Sequence, residues 1–152
     1  MTLRLTSPAF DEGAPIPPAH GKEGGNASPP LAWSGVPEGT KSFAILCEDP
    51  DAPSGTFRHW GVYDIPADRT GLDAGEDLSR YGRTRNDFGD LGYGGPRPPA
   101  GDGPHRYQFR LAALSVDKLD VITPELGAMA MWNEALRNVV EETVLTGTFE
   151  AR

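Results

Sequence analysis

Leu3 and Leu5 alternate with polar neighbours, which predicts a short edge strand, and Pro15, Pro17, Pro18, Gly24, Gly25, Pro29 and Pro30 then break the chain into loop and turn. From Ser42 to Glu48 nearly every position is apolar. Such a run predicts a buried strand, which Asp49-Pro50-Asp51-Ala52-Pro53 stops with residues that cannot continue a ladder. A second strand is expected over His59-Trp60-Gly61-Val62-Tyr63-Asp64-Ile65, where period-two geometry puts His59, Gly61, Tyr63 and Ile65 on one face. Pro66 to Gly103 comes next without clear periodicity, and a connection so long and so rich in Gly, Pro and charge points to a binding role. The next strand, His105 to Leu111, alternates cleanly, with His105, Tyr107, Phe109 and Leu111 on one face and Arg106, Gln108 and Arg110 on the other. Thr123-Pro124-Glu125 then offers an N-cap, a first-position proline and an acid, and Leu126, Met129, Leu136, Val140 and Val144 recur at helical spacing. One helix is expected there, or two short ones broken near Trp132-Asn133, packed on the sheet. There is no internal repeat and no low-complexity tract.

The 152 residues, 38% of them hydrophobic, suffice for one sizeable core and are too few for two ordinary domains, so residues 1–152 are expected to form a single domain. Nineteen glycines and fifteen prolines among well-spread apolar residues signal many turns between short elements rather than disorder. A formal charge of -8 repels phosphate backbones and anionic bilayers at long range, which argues against nucleic acid as a partner. The single cysteine, Cys47, ends an apolar run and is expected to be buried and inert; it cannot form an intramolecular disulfide. Met1 to Pro8 lack the apolar core of a secretory signal, and no stretch reaches the ~18 apolar residues of a membrane span. A cytoplasmic protein without integral membrane association is the expectation.

Three predicted strand ends carry the candidate chemistry: Asp49 with Asp51, then His59, then His105 with Tyr107, each beside a proline- or glycine-rich turn that brings backbone N–H groups near a ligand. Each residue also has an ordinary structural role, Asp before Pro as a turn former and His at a strand end as a hydrogen-bonded side chain. Two histidines and an acid could hold zinc, yet their spacing has no compact metal motif, so neither metal nor cofactor is expected.

Asp49-Pro50-Asp51-Ala52-Pro53, His59-Trp60, and Gly94-Gly95-Pro96-Arg97-Pro98-Pro99-Ala100-Gly101 leading into His105-Arg106-Tyr107 resemble the two hallmark segments of the phosphatidylethanolamine-binding protein family. Ser7-Pro8-Ala9-Phe10, Gly25-Asn26, Ser28-Pro29-Pro30-Leu31, Trp33-Ser34-Gly35-Val36-Pro37 and Gly147-Thr148-Phe149 resemble its bacterial and archaeal branch, often labelled Raf kinase inhibitor-like. The resemblance covers essentially the whole chain. It implies a mainly β fold with minor α, a large antiparallel sheet packed on a smaller one in a Greek-key-like arrangement, and a C-terminal helix. It also implies a ligand site made of Asp49, Asp51, Phe57, His59, Gly95, Arg97, Pro98, His105 and Tyr107, with Phe57 at an apolar rim and Gly95, Arg97 and Pro98 as the opposite wall. Family members hold phosphate, acetate, cacodylate or a phospholipid head group there, and the implied function is phosphate-type ligand binding with a modulatory role towards a protein partner such as a kinase or protease. Some relatives pair as homodimers, although no long exposed apolar stripe demands it in this chain. Arg97 stands where the branch more often has cysteine, adding a cation near the pocket, and Asn138 stands where its helix commonly carries histidine, removing a polar group from the pocket edge.

If Asp49 accepts a hydrogen bond from one imidazole, its charge raises that histidine's pKa and fixes which nitrogen meets the ligand. Imidazolium N–H groups, the Tyr107 hydroxyl and amides near Gly95 would then bind an oxyanion, with binding that weakens as pH rises through neutrality. The alternative is an acid-base hydrolase using the same Asp, His, His and Tyr, but no activated Ser or Cys nucleophile stands in a recognisable context. A sharp turn at the pocket wall further predicts one cis peptide among the X–Pro bonds of Asp49 to Pro53.

Overall fold

The computed structural model describes residues 2–120 and 126–151. Among them run eight strands and one α-helix: β1 (Arg4–Thr6), β2 (Leu31–Ser34), β3 (Ser42–Asp49), β4 (Phe57–Pro66), β5 (Gly71–Leu72), β6 (Gly82–Arg83), β7 (His105–Leu114), α1 (Ala128–Leu136) and β8 (Val139–Phe149). They form two antiparallel sheets, β1-β2-β5 and β6-β4-β3-β7-β8. In the larger sheet β3, β4 and β6 are neighbours and β7 returns beside β3, which is a Greek key. The mainly β architecture with a larger sheet, a smaller sheet and a helix near the C-terminus is as expected.

The alternation along β3 explains the layers. Phe43, Ile45 and Cys47 face one way and, with Trp60, Val62 and Ile65 of β4 and Tyr107, Phe109 and Leu111 of β7, meet Leu3, Leu5, Leu31, Trp33 and Leu72 from the small sheet. Ala44 and Leu46 face the other way and, with Tyr63, Ala112 and Leu114, pack on α1. β3 is therefore covered on both faces, which is why it reads as a continuous apolar run rather than an alternating one. Each large side chain so buried contributes about 1.5–3 kcal/mol relative to exposure.

Strand β4 departs from the predicted alternation at two bulges. Cys47 pairs with Trp60 while Glu48 pairs with Arg58, so His59 is an extra residue; Ile45 pairs with Val62 while Phe43 pairs with Ile65, and Asp64 in that interval takes a left-handed φ of 61°. Each extra residue reverses the facing of the residues beyond it. His59 and Ile65 thus share the face of Trp60 and Val62, and only Gly61 and Tyr63 of the predicted row turn towards α1.

The C-terminal region also differs from the expectation. The Thr123-Pro124-Glu125 cap lies outside the described residues. The helix is a single unbroken element over Ala128–Leu136 that buries Ala128, Met131, Trp132 and Ala135, an i, i+3, i+4, i+7 stripe, while Leu136 is exposed. Val140 and Val144 belong to the long strand β8, where β-branched residues are favoured. β8 occupies the edge of the large sheet and leaves Val139, Val140 and Val144 exposed, an apolar stripe that sequence reading did not anticipate. Asn138 receives the Ser115 N–H on its carbonyl, beyond the end of β7 opposite to His105, so it removes nothing from the pocket edge. Every peptide bond among the described residues is trans, so the predicted cis bond is absent. The Asp49 carboxylate instead organises the turn, accepting the Asp51 N–H at 2.8 Å.

Candidate functional site

Asp49 ends β3, His105 begins β7, and the two strands pair antiparallel, so both side chains arrive at the same end and the same face of the large sheet. Tyr107 is next on the His105 row. His59 reaches this face only because of its bulge. The four converge: His105 Nδ1–H donates to Asp49 Oδ2 at 2.6 Å, the His59 ring lies 5.3 Å from Tyr107 edge-on, and the His105 ring stacks 6.5 Å from Tyr107. Asp49, His59, His105 and Tyr107 are all buried. Phe57 packs 4.8 Å from His59, and Phe88 completes an aromatic wall at 4.7 Å from Phe57.

The two histidines are held in different states. Burial disfavours charge on His105, but the hydrogen bond to Asp49 and a second from Nε2–H to Asp102 Oδ2, at 2.5 Å, outweigh it and raise its pKa. Carboxylates stand at both ring nitrogens, an arrangement that favours the imidazolium. For His59 burial wins and the pKa falls, despite a 2.6 Å bond from Nδ1–H to the Gly94 carbonyl, which leaves Nε2 unprotonated. Burial first, and then the Asp49 charge, push the Tyr107 phenol upwards, so it stays a neutral donor; among the described residues its hydroxyl makes no hydrogen bond of acceptable geometry. Burial likewise raises the Cys47 thiol, with Glu48 and Asp49 adding to the effect, which keeps it protonated and unreactive.

Other residues of the predicted set stand apart from this cluster. Asp51 turns outward and forms a two-pronged ion pair with Arg106, at 2.8 and 3.0 Å, whose hydrogen bonds hold the carboxyl down at about 2. It is a brace between the Asp-Pro turn and β7. The Gly95 N–H is already donated to Asn26 Oδ1 at 2.7 Å, and the Gly94 N–H to the His59 carbonyl, so these amides are not free for a ligand. Gly95 is needed for space: a Cβ there would strike the His20 carbonyl oxygen. Arg97 is exposed and paired with Glu23 at 3.0 Å, so its charge does not enter the cluster. With Pro98 it lines a neighbouring groove of about 880 Å³, walled also by Ile16, Pro99 and Phe149. Among the described residues no group of three or more His, Cys, Asp or Glu is arranged to hold a metal ion, and no helix is long and apolar enough to cross a membrane.

Asp102, Phe88 and Asn26 were not among the predicted ligand residues. Asp102 carried one usable signal, an acid between Gly101 and Gly103 three residues before His105; Asn26 stands in the Gly25-Asn26 pair that resembles the branch, with no sign of what it bonds, and Phe88 comes from a long irregular segment that carries none.

The family model for phosphatidylethanolamine-binding protein matches residues 6–150, nearly the whole chain. The chain belongs to the phosphatidylethanolamine-binding protein family. Escherichia coli YbcL is 47% identical over 140 residues, covering 84% of this chain and 76% of that protein. Its crystal structure, described as a new member of the mammalian family, matches with a TM-score of 0.92 at 37% identity over the full length of both chains. Escherichia coli YbhB is 38% identical over 154 residues, 93% of this chain and 97% of that protein. These relatives place the chain in the bacterial branch. A carboxypeptidase Y inhibitor solved with its cognate proteinase shares the fold alone, at 19% identity and a TM-score of 0.52 over 99% of this chain and 83% of that one.

Proposed function

We propose that the domain binds a small oxyanion, a phosphate or phosphorylated head group, at the outer edge of His105. The observation that carries this reading is the setting of that ring: buried, with one nitrogen bonded to Asp49 beneath it and the other to a carboxylate from a loop that reaches solvent, which together favour its cation. A cationic ring whose outer N–H meets a solvent-reaching carboxylate can offer that donor to another anion, and each charge-assisted bond it makes is worth roughly 1.5–3 kcal/mol. The Tyr107 hydroxyl, unpartnered among the described residues, supplies a further donor, and the bare His59 Nε2 an acceptor for the proton of a monoprotonated phosphate. Asp49 repels the anion directly but is neutralised by the imidazolium, so its net effect is to keep the donor charged.

The catalytic alternative gains no support: the His105 nitrogens are both committed to carboxylates, and the Cys47 thiol is buried. A modulatory role towards a protein partner such as a kinase or protease rests on family resemblance. Calorimetry with inorganic phosphate and with phosphoethanolamine, at about pH 6 and about pH 8.5, tests the binding. Binding at the lower pH that weakens at the higher is expected; binding that strengthens with pH, or none at either, refutes the reading.

A further inference from the structure

We propose that the Asp102 carboxylate is an internal occupant of the anion site, and that an external oxyanion binds by displacing it from His105. This rests on the function proposed above and adds how the site is filled when no ligand is present. The Asp102 side chain is 42% exposed, whereas those of His105 and Asp49 are each 4% exposed. One face of the imidazolium is therefore fixed in the core and the other is closed by a side chain that can leave into water.

The local chain suits that movement. Asp102 lies in an exposed tip between Pro99 and Pro104, flanked by Gly101 and Gly103, both with left-handed φ, at 84° and 79°. A Cβ at either glycine would meet no atom within 4 Å, so the tip is in open space. The Asp102 N–H bonds only within the turn, to the Pro99 carbonyl at 3.2 Å. Among the described residues, nothing but the bond to His105 ties the Asp102 side chain inward.

Charge gives the exchange its direction. Asp49, Asp102 and the imidazolium together carry one net negative charge, facing a neutral His59 and a neutral Tyr107. A phosphate monoanion added to that set would bring a third negative charge beside one cation. Replacing Asp102 with the same anion leaves the total unchanged and reuses the same N–H donor. The tether gives Asp102 an effective concentration in the millimolar range for a short flexible link, so weakly bound external anions meet real competition. Asp102 thereby sets which ligands succeed: those that also engage the Tyr107 hydroxyl or His59 Nε2, which a single tethered carboxylate on Nε2 of His105 does not.

The test is titration with inorganic phosphate at about pH 6 of the wild type, Asp102→Asn and Asp102→Ala, with folding checked by the amide NMR fingerprint. Affinity should rise from wild type through Asp102→Asn, whose amide oxygen still accepts a weaker bond, to Asp102→Ala, where the gain is about tenfold or more, the worth of one released charge-assisted hydrogen bond. In the wild type the Asp102 side-chain carboxyl carbon resonance should move to its solvent-exposed position as phosphate saturates. Equal affinity in all three proteins, or weaker binding by Asp102→Ala, overturns the displacement while leaving the anion site standing. Phosphate binding by none of the three overturns both.

Discussion

Removing Asp49 should both destabilise the domain and discharge His105. In Asp49→Ala the lost groups are the 2.6 Å bond from His105 Nδ1–H and the 2.8 Å bond from the Asp51 N–H that shapes the turn after β3. Hydrogen bonds to charged groups contribute about 1.5–3 kcal/mol each, which gives a loss of about 3–6 kcal/mol. Two effects offset it: a buried carboxylate no longer has to be desolvated, and His105 can give up its proton. The net cost should then lie near 3 kcal/mol, within the range for breaking a buried ion pair by deleting one partner. For a chain of this size that is a fall in Tm of roughly 6–12 °C. A double-mutant cycle with His105→Ala, read by urea unfolding at about pH 6, isolates the pair, and a coupling of about 2 kcal/mol is expected. A coupling below about 0.5 kcal/mol, or a His105 pKa unchanged in Asp49→Ala, would show that Asp49 does not hold the ring charged.

Tyr107→Phe removes a buried hydroxyl with no partner among the described residues, so stability should stay level or rise by up to about 1 kcal/mol while phosphate affinity falls about tenfold; calorimetry and chemical unfolding read the two separately. Gly95→Ala would drive a methyl into the backbone of His20, Gly21 and Lys22, costing about 2–3 kcal/mol in unfolding free energy and shifting the His59 ring signals. The histidines should give opposite slopes of stability against pH. His105, with its pKa raised, contributes fully below the ordinary value of about 6.5 and loses that contribution as pH rises through the raised value; His59, with its pKa lowered, contributes above about 6.5 and loses that as pH falls through its depressed value. Unfolding curves of His105→Gln and His59→Gln across the pH range should lose the alkaline and the acid limb respectively.

The parts of the site legible from sequence are those on regular backbone. His105 and Tyr107 share a face because β7 pairs with β3 without a bulge from Ser42 to Glu48, so alternation alone placed them. His59 lies beside Tyr107 through a bulge that period-two counting does not show. Val140 and Val144 fitted helical spacing as well as strand spacing, and pairing along the full length of β7 decided between them. Arg97 and the Gly95 amide are bonded elsewhere, to Glu23 and Asn26 more than sixty residues away, which proximity in a motif does not reveal. Asp102 was missed because its one signal, an acid between two glycines three residues before His105, does not say that the loop folds its carboxylate back onto the ring.

Ring-nitrogen NMR of His105, tracked across about pH 5 to 9 with and without phosphate, bears most directly on the anion site. Both nitrogens should remain protonated through neutrality, and the Nε2 signal should shift on phosphate addition with an affinity that declines as the ring loses its proton. A ring already neutral at about pH 6, or an Nε2 signal indifferent to saturating phosphate, would contradict the account.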